Sequence, residues 1–219
     1  MPRSAPPRKP ASPGRPKDPA KRAAILDAAK LLFVQQGFDR VSMDQVAAAA
    51  GVSKLTVYSH FGDKDGLFAE AVRAHCEQGM PTRLFEPAPG VPLRERLLAI
   101  GNAFHAMVMA PESIAGHRIL CSPQMAGSGL LQMVWEAGPK RVQAAFVALL
   151  EKRIAAGELD IPDPARAAGH FFTLLKGEPH AQAVFGIGCC PCDDSPQAHV
   201  ASVVDLFLRA YAPRGGRTD

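Results

Sequence analysis

Aromatic residues are scarce in this sequence, at 6% of 219 residues with one Trp and two Tyr. That is thin for a protein built on strands, which favour aromatic and β-branched side chains. No uninterrupted apolar run reaches the roughly 18 residues that a membrane-spanning helix needs, so no membrane association is expected. The first residues lack the apolar stretch of a signal peptide. The five cysteines are an odd number in a chain too long to depend on disulfide staples, so a reducing cytoplasm is the expected setting. No H-E-x-x-H, phosphate-binding loop or G-x-G-x-x-G occurs, so neither an enzyme nor a cofactor is expected. His117 and Cys121 stand four apart, as a base and a nucleophile could on a helix. No orienting acid or oxyanion loop lies near them in sequence.

What is present is the balance of a globular protein, 47% apolar and 21% charged, with enough length to bury a core. The net charge of +4 is unevenly placed. Residues 1–79 hold 12 Lys and Arg against 8 Asp and Glu, whereas residues 80–219 hold 13 of each. A basic end on a neutral body suggests that one part meets a polyanion and the other does something else. A merely solvated tail would have the same composition.

Residues 1–17 carry six prolines among basic and small residues and are expected to form a disordered basic arm. Asp18-Pro19 then reads as an N-cap followed by a first-turn proline. Ile25, Ala28, Ala29, Leu32 and Phe33 recur at helical steps as far as Gly37, predicting a helix over 19–36. Ser42-x-x-Gln45 is a capping box for a short second helix that Gly51 stops. Ser53 caps a third helix reaching Phe61, and Gly62-Asp63 opens a fourth. Beyond a Pro- and Gly-rich loop at 81–91, the pattern predicts helices over 93–109, 112–125, 130–156 with a kink at Gly138-Pro139, 164–185 and 196–212. The expected fold is all-α, with about nine helices. It divides into the arm, a helix-turn-helix domain over 18–63 and a larger helical domain over 64–219, helix 4 serving as connector.

Residues 42–61 have the layout of a helix-turn-helix. On the third helix Val57 and Phe61 are four apart and should face inward. Leu55 and Ser59 then point outward with Thr56 beside them, Lys54 and Tyr58 on one flank and His60 on the other. Hydrogen-bonding groups around an exposed leucine suit a major groove, where a thymine methyl offers an apolar contact. Tyr58, His60, Ser42 and Lys64 are placed to reach phosphates.

These residues resemble a known family. Ile25-Leu26-Asp27-Ala28-Ala29 with Leu32-Phe33 and Gly37-Phe38 looks like the opening of the TetR family of transcriptional regulators. Ser42 to Ala47, Ala50 to Lys54, Thr56 to Phe61, and Asp63-Lys64 with Leu67-Phe68 match its second helix, turn, third helix and the start of its fourth. The likeness covers about residues 15–73. More weakly, Glu136-Ala137-Gly138-Pro139, Gly157-Glu158-Leu159 and Leu174-Leu175-Lys176-Gly177 are similar to the AefR-like group. The resemblance implies an all-helical homodimer that binds double-stranded DNA and represses until a small molecule displaces it. By position, Lys54, Leu55 and Thr56 would lie near bases, and Ser42, Tyr58, His60 and Lys64 near phosphates. Leu55 departs from the small residue usual there, which bears on the operator sequence. The family pairs its subunits through the last two long helices, where Phe171, Leu174, Leu175, Val203, Leu206 and Phe207 fit a four-helix bundle. Physics also favours a dimer, because one recognition helix reads only a few base pairs.

For the effector, expected to be small and largely apolar, candidate pocket residues are Phe104, Met107, Met125, Met133, Trp135, Phe146, Phe171 and Phe172, with His105, His117 and His180 as groups that could orient a polar part of it and Cys121 as a further neighbour. Such residues also make ordinary cores. Cys189, Cys190 and Cys192 raise an alternative, a thiol- or metal-responsive regulator, although their spacing is not that of a zinc site and loop composition is the plainer account of them. A helical ligand carrier that binds no DNA is a further alternative.

Overall fold

The protein's computed structural model describes residues 18–86, 90–127, 129–187 and 195–213. The basic arm at 1–17 and the cysteines at 189, 190 and 192 lie outside the described residues. Those residues contain ten α-helices and no strand. They are α1 (Pro19–Gln36), α2 (Met43–Ala49), α3 (Lys54–Phe61), α4 (Lys64–Gly79), α5 (Leu93–Met109), α6 (Pro111–Leu120), α7 (Gly129–Ala137), α8 (Pro139–Ala155), α9 (Pro164–Phe185) and α10 (Pro196–Ala210). Among them no single helix is long and apolar enough to cross a membrane.

The helix starts follow their caps. Asp18 accepts from the Ala20 amide at 3.0 Å, Asp63 from Gly66 at 2.7 Å, Asp163 from Arg166 at 3.0 Å and Ser195 from Ala198 at 3.2 Å. Each satisfies a first-turn amide that has no partner within its helix. The pattern over 112–125 is a shorter α6 followed by a 3₁₀ turn at Pro123–Met125. Gly138-Pro139 ends one helix and starts another, because proline lacks the amide that would continue the ladder.

Two apolar cores are present. One gathers Ile25, Phe33, Val46, Val57, Phe61 and Leu67 with Met125, Leu130 and Val134. The other gathers Leu97, Ile100, Phe104, Phe146, Leu150, Phe171, Leu175, Val204 and Phe207. The first half of α4 fills the former through Leu67, Phe68 and Ala71, while Cys76 and Met80 at its far end join the latter. Burial drives both, at about 1.5–3 kcal/mol for each large side chain removed from water.

α9 is broken. Gly177 has φ 55° and ψ −166°, backbone that side-chain-bearing residues rarely adopt, and Pro179 follows. The Leu175 carbonyl would normally accept from the amide four residues on, which Pro179 lacks. His199 of α10 takes its place, its Nε2 donating to the Leu175 oxygen at 3.2 Å.

Candidate DNA interface and C-terminal interior

α2 begins with the full capping box. The Ser42 hydroxyl accepts from the Gln45 amide at 3.2 Å, and the Gln45 side chain accepts from the Ser42 amide at 2.7 Å. Gly51, at φ 65°, makes the turn. Ser53 then caps α3, accepting from the Thr56 amide at 3.2 Å. Val57 and Phe61 are buried against α1 and α2, so the opposite face of α3 is turned out. Leu55 is 78% exposed and Tyr58 41% exposed. Apolar side chains of this size normally fold inward.

Around them lie Lys54, Thr56, Ser59 and His60, as the periodicity of α3 requires. The Ser59 hydroxyl donates to the Thr56 carbonyl at 2.8 Å, and the Thr56 and Ser53 hydroxyls are 2.8 Å apart. The His60 ring lies against Phe61 at 5.9 Å between centroids. Lys54 is exposed, and its Nζ donates to Asp44 Oδ2 at 2.9 Å, which raises its pKa above the usual lysine value. Asp44 is the neighbour that the sequence pattern did not single out.

Lys64 has partners within the fold. Its ammonium donates to the Phe38 carbonyl at 3.1 Å and stands 4.3 Å from the centre of the Phe38 ring. It ties the α1–α2 connection to the start of α4. The rest of the frame is held by Arg22, which pairs with Glu70 and lies 5.3 Å over the Phe61 ring. Glu70 is paired in turn with Arg73, whose Nη1 reaches Glu77 at 2.7 Å. Arg73 lowers the Glu70 carboxyl below the usual carboxylate range.

The residues expected to line one effector pocket fall into several environments. Phe104 and Phe172 meet at 4.6 Å between ring centres, and Phe172 lies 5.1 Å from Phe146, which is wholly buried. Met107 packs on Gly79 of α4. His105 is buried beside His199, and the half-buried His117 lies beside the buried His180. Met133 and Trp135, at 41% and 51% exposed, face outward on α7, and Cys121 is exposed at the end of α6. Met125 is buried in the N-terminal core and borders a cleft of about 320 Å³ between α6 and the α1–α2 connection. Met125, Met133 and Trp135 therefore do not join Phe104, Phe172 and the histidines, whereas Cys121 lies beside Lys176.

The residues expected at a subunit interface also divide by burial. Phe171 and Leu175 are fully buried within the subunit, and Val203 and Phe207 nearly so, against α5 and α8. Only Leu174 and Leu206, at 40% and 47% exposed, point away from that core.

The bacterial regulatory proteins of the tetR family match residues 25–71, and the C-terminal domain of the AefR-like transcriptional repressors matches residues 95–213. The chain belongs to the TetR family. This TetR-family chain is 43% identical over 63 residues to the HTH-type transcriptional repressor BdcR of Escherichia coli, covering 29% of the chain and 32% of that protein. It is 28% identical over 157 residues to the HTH-type transcriptional regulator SrpR of Pseudomonas putida, covering 71% and 72%. Several of the curated relatives it matches are thus spanned for only about a third of their length. A TetR-family transcriptional regulator from Mesorhizobium loti has a similar structure, with a TM-score of 0.72 at 28% identity over 88% of this chain and 96% of that one. The flavonoid-responsive regulator FrrA gives 0.69 at 30% identity over 89% and 98%. The family and these relatives are transcriptional regulators, not enzymes.

Proposed function

We propose that this TetR-family chain is a dimeric repressor that binds a pseudo-palindromic operator and is released by a small effector held in its C-terminal domain. The observation that carries the reading is the outward face of α3, where Leu55 is 78% exposed among donors from Lys54, Thr56, Tyr58 and Ser59. An exposed leucine gains little in water and gains a partner against a thymine methyl. Lys54, Ser42, Tyr58 and His60 would flank it towards the phosphates, with Lys64 supporting the frame from behind. Leu174 and Leu206, with Phe185 at the end of α9, are large apolar side chains exposed on α9 and α10 and would be available to a second subunit.

Release follows if the effector favours a subunit arrangement that spaces the two α3 helices wrongly for DNA. α6 is placed to carry that change. It packs on α9, and its last residues Ile119 and Leu120 lie against the N-terminal core.

The test is a gel-shift selection from fragments of the host genome, followed by sequencing. Retention of an inverted repeat, lost steeply as salt rises, supports the reading. Retention no better than that of random competitor overturns it.

A further inference from the structure

Five basic groups from four helices meet at the break in α9. They are His105 of α5, His117 of α6, Lys176 and His180 of α9, and His199 of α10. The His117 and His180 rings stand edge to face at 4.8 Å, and those of His105 and His199 are 5.6 Å apart. His180 is 6% exposed, yet its Nε2 has no hydrogen-bond partner. A buried polar atom left so costs free energy unless something comes to meet it.

The cluster is basic without a buried acid among its members. Burial acts first on each shifted group, and its basic neighbours act next. His105 is lowered by burial and then by His199, and His117 by burial and then by Lys176. His180 is pushed down to about 4 by burial, then by His117, Lys176 and His105. Lys176 is lowered by burial, with the Cys121 thiol beside it acting the other way. Other charged groups nearby are committed elsewhere. Arg118 donates to the Val184 and Ala183 carbonyls at 2.7 Å, and the exposed Glu178 accepts from Gln182. Among the described residues no three His, Cys, Asp or Glu are grouped so as to hold a metal ion.

We propose that this cluster is a carboxylate site, and that the effector is an organic acid with an aryl body. This rests on the reading that the chain is effector-controlled. An arriving carboxylate supplies the charge that the cluster lacks and accepts from His180 Nε2, His117 and the Lys176 ammonium. Phe172 lies one turn before Lys176 on α9 and meets Phe104 at a tilt of 46°, so the apolar body has aromatic walls next to the charged end. The carboxylate parts the His117–His180 ring contact, and hence α6 from α9. Binding also takes up protons, because imidazoles kept neutral by burial become charged beside an anion.

The test is calorimetric titration of the full chain with benzoate and 2-naphthoate, each against its uncharged alcohol, between about pH 8 and about pH 6, the range where histidines titrate. The acids are expected to bind at least about ten-fold tighter than the alcohols. One proton taken up per ligand makes binding up to about ten-fold tighter for each unit of falling pH. His180→Phe and Lys176→Met should each remove that preference while circular dichroism stays unchanged; if one variant does not fold, the other decides. Alcohols binding as well as acids, acids binding without pH dependence, or neither acid binding overturns the proposal. Retention of genomic DNA is scored separately. Acid binding without an operator removes the regulator reading and leaves the site, whereas an operator without acid binding does the reverse.

Discussion

Lys54 Nζ lies 2.9 Å from Asp44 Oδ2, so the first residue of α3 is tied to α2 across the turn, beside the face proposed to meet DNA. The pair is exposed on both sides. Docking on a phosphate backbone would exchange that carboxylate for a phosphate and leave Asp44 facing the polyanion. Asp44→Asn should therefore tighten binding to any duplex by about two- to five-fold, within the range set by exposed pairs. It should also blunt selectivity. Fluorescence anisotropy on operator and scrambled duplexes checks this, and weaker binding to both would mean that the pair is needed to position α3.

Subunit contacts and subunit core can be separated by substitution. Leu174→Glu with Leu206→Glu should leave helicity intact and convert the protein to monomers on a sizing column, with operator affinity falling in step. Phe171→Ala should destabilise the subunit itself by about 3–5 kcal/mol, because it empties a fully buried site. Urea unfolding distinguishes the two.

Much of the fold was legible because helix starts are chemically local. Asp18-Pro19, Ser42 with Gln45, Asp163-Pro164 and Ser195-Pro196 all cap where they stand in sequence. The outward face of α3 was legible too, since Val57 and Phe61 fix its rotation. Non-local partners were not. Apolar spacing cannot tell whether Phe171 faces its own core or a second subunit, and it faced its own. Nothing near Lys64 in sequence announces the Phe38 carbonyl, and nothing near Met125 announces the core around Phe33. The break in α9 had a local signal, Gly177-Glu178-Pro179, that the long apolar period outweighed.

Acid should weaken this protein early. His75, His105, His117 and His180 all have pKa values below the ordinary histidine range, with burial the first cause in each case. The unfolded chain, with ordinary values near 6.5, therefore binds more protons than the folded one as pH falls below that point. Stability is present above that value and is lost on descent towards the folded values, about 4 for His180. The melting temperature should drop across this window, and His180→Gln should make the drop shallower. A flat profile would show that these rings are charged in the fold.

Whether the outward face of α3 reads bases is decided by selecting duplexes from a random pool with the wild type and with Leu55→Ala. The wild type should select an inverted repeat with half-site centres about 34–36 Å apart. Leu55→Ala should lose the preference for thymine at one position in each half-site, with affinity for the wild-type site down about ten-fold. Identical sequences selected with identical affinity by both proteins would contradict base reading by this face.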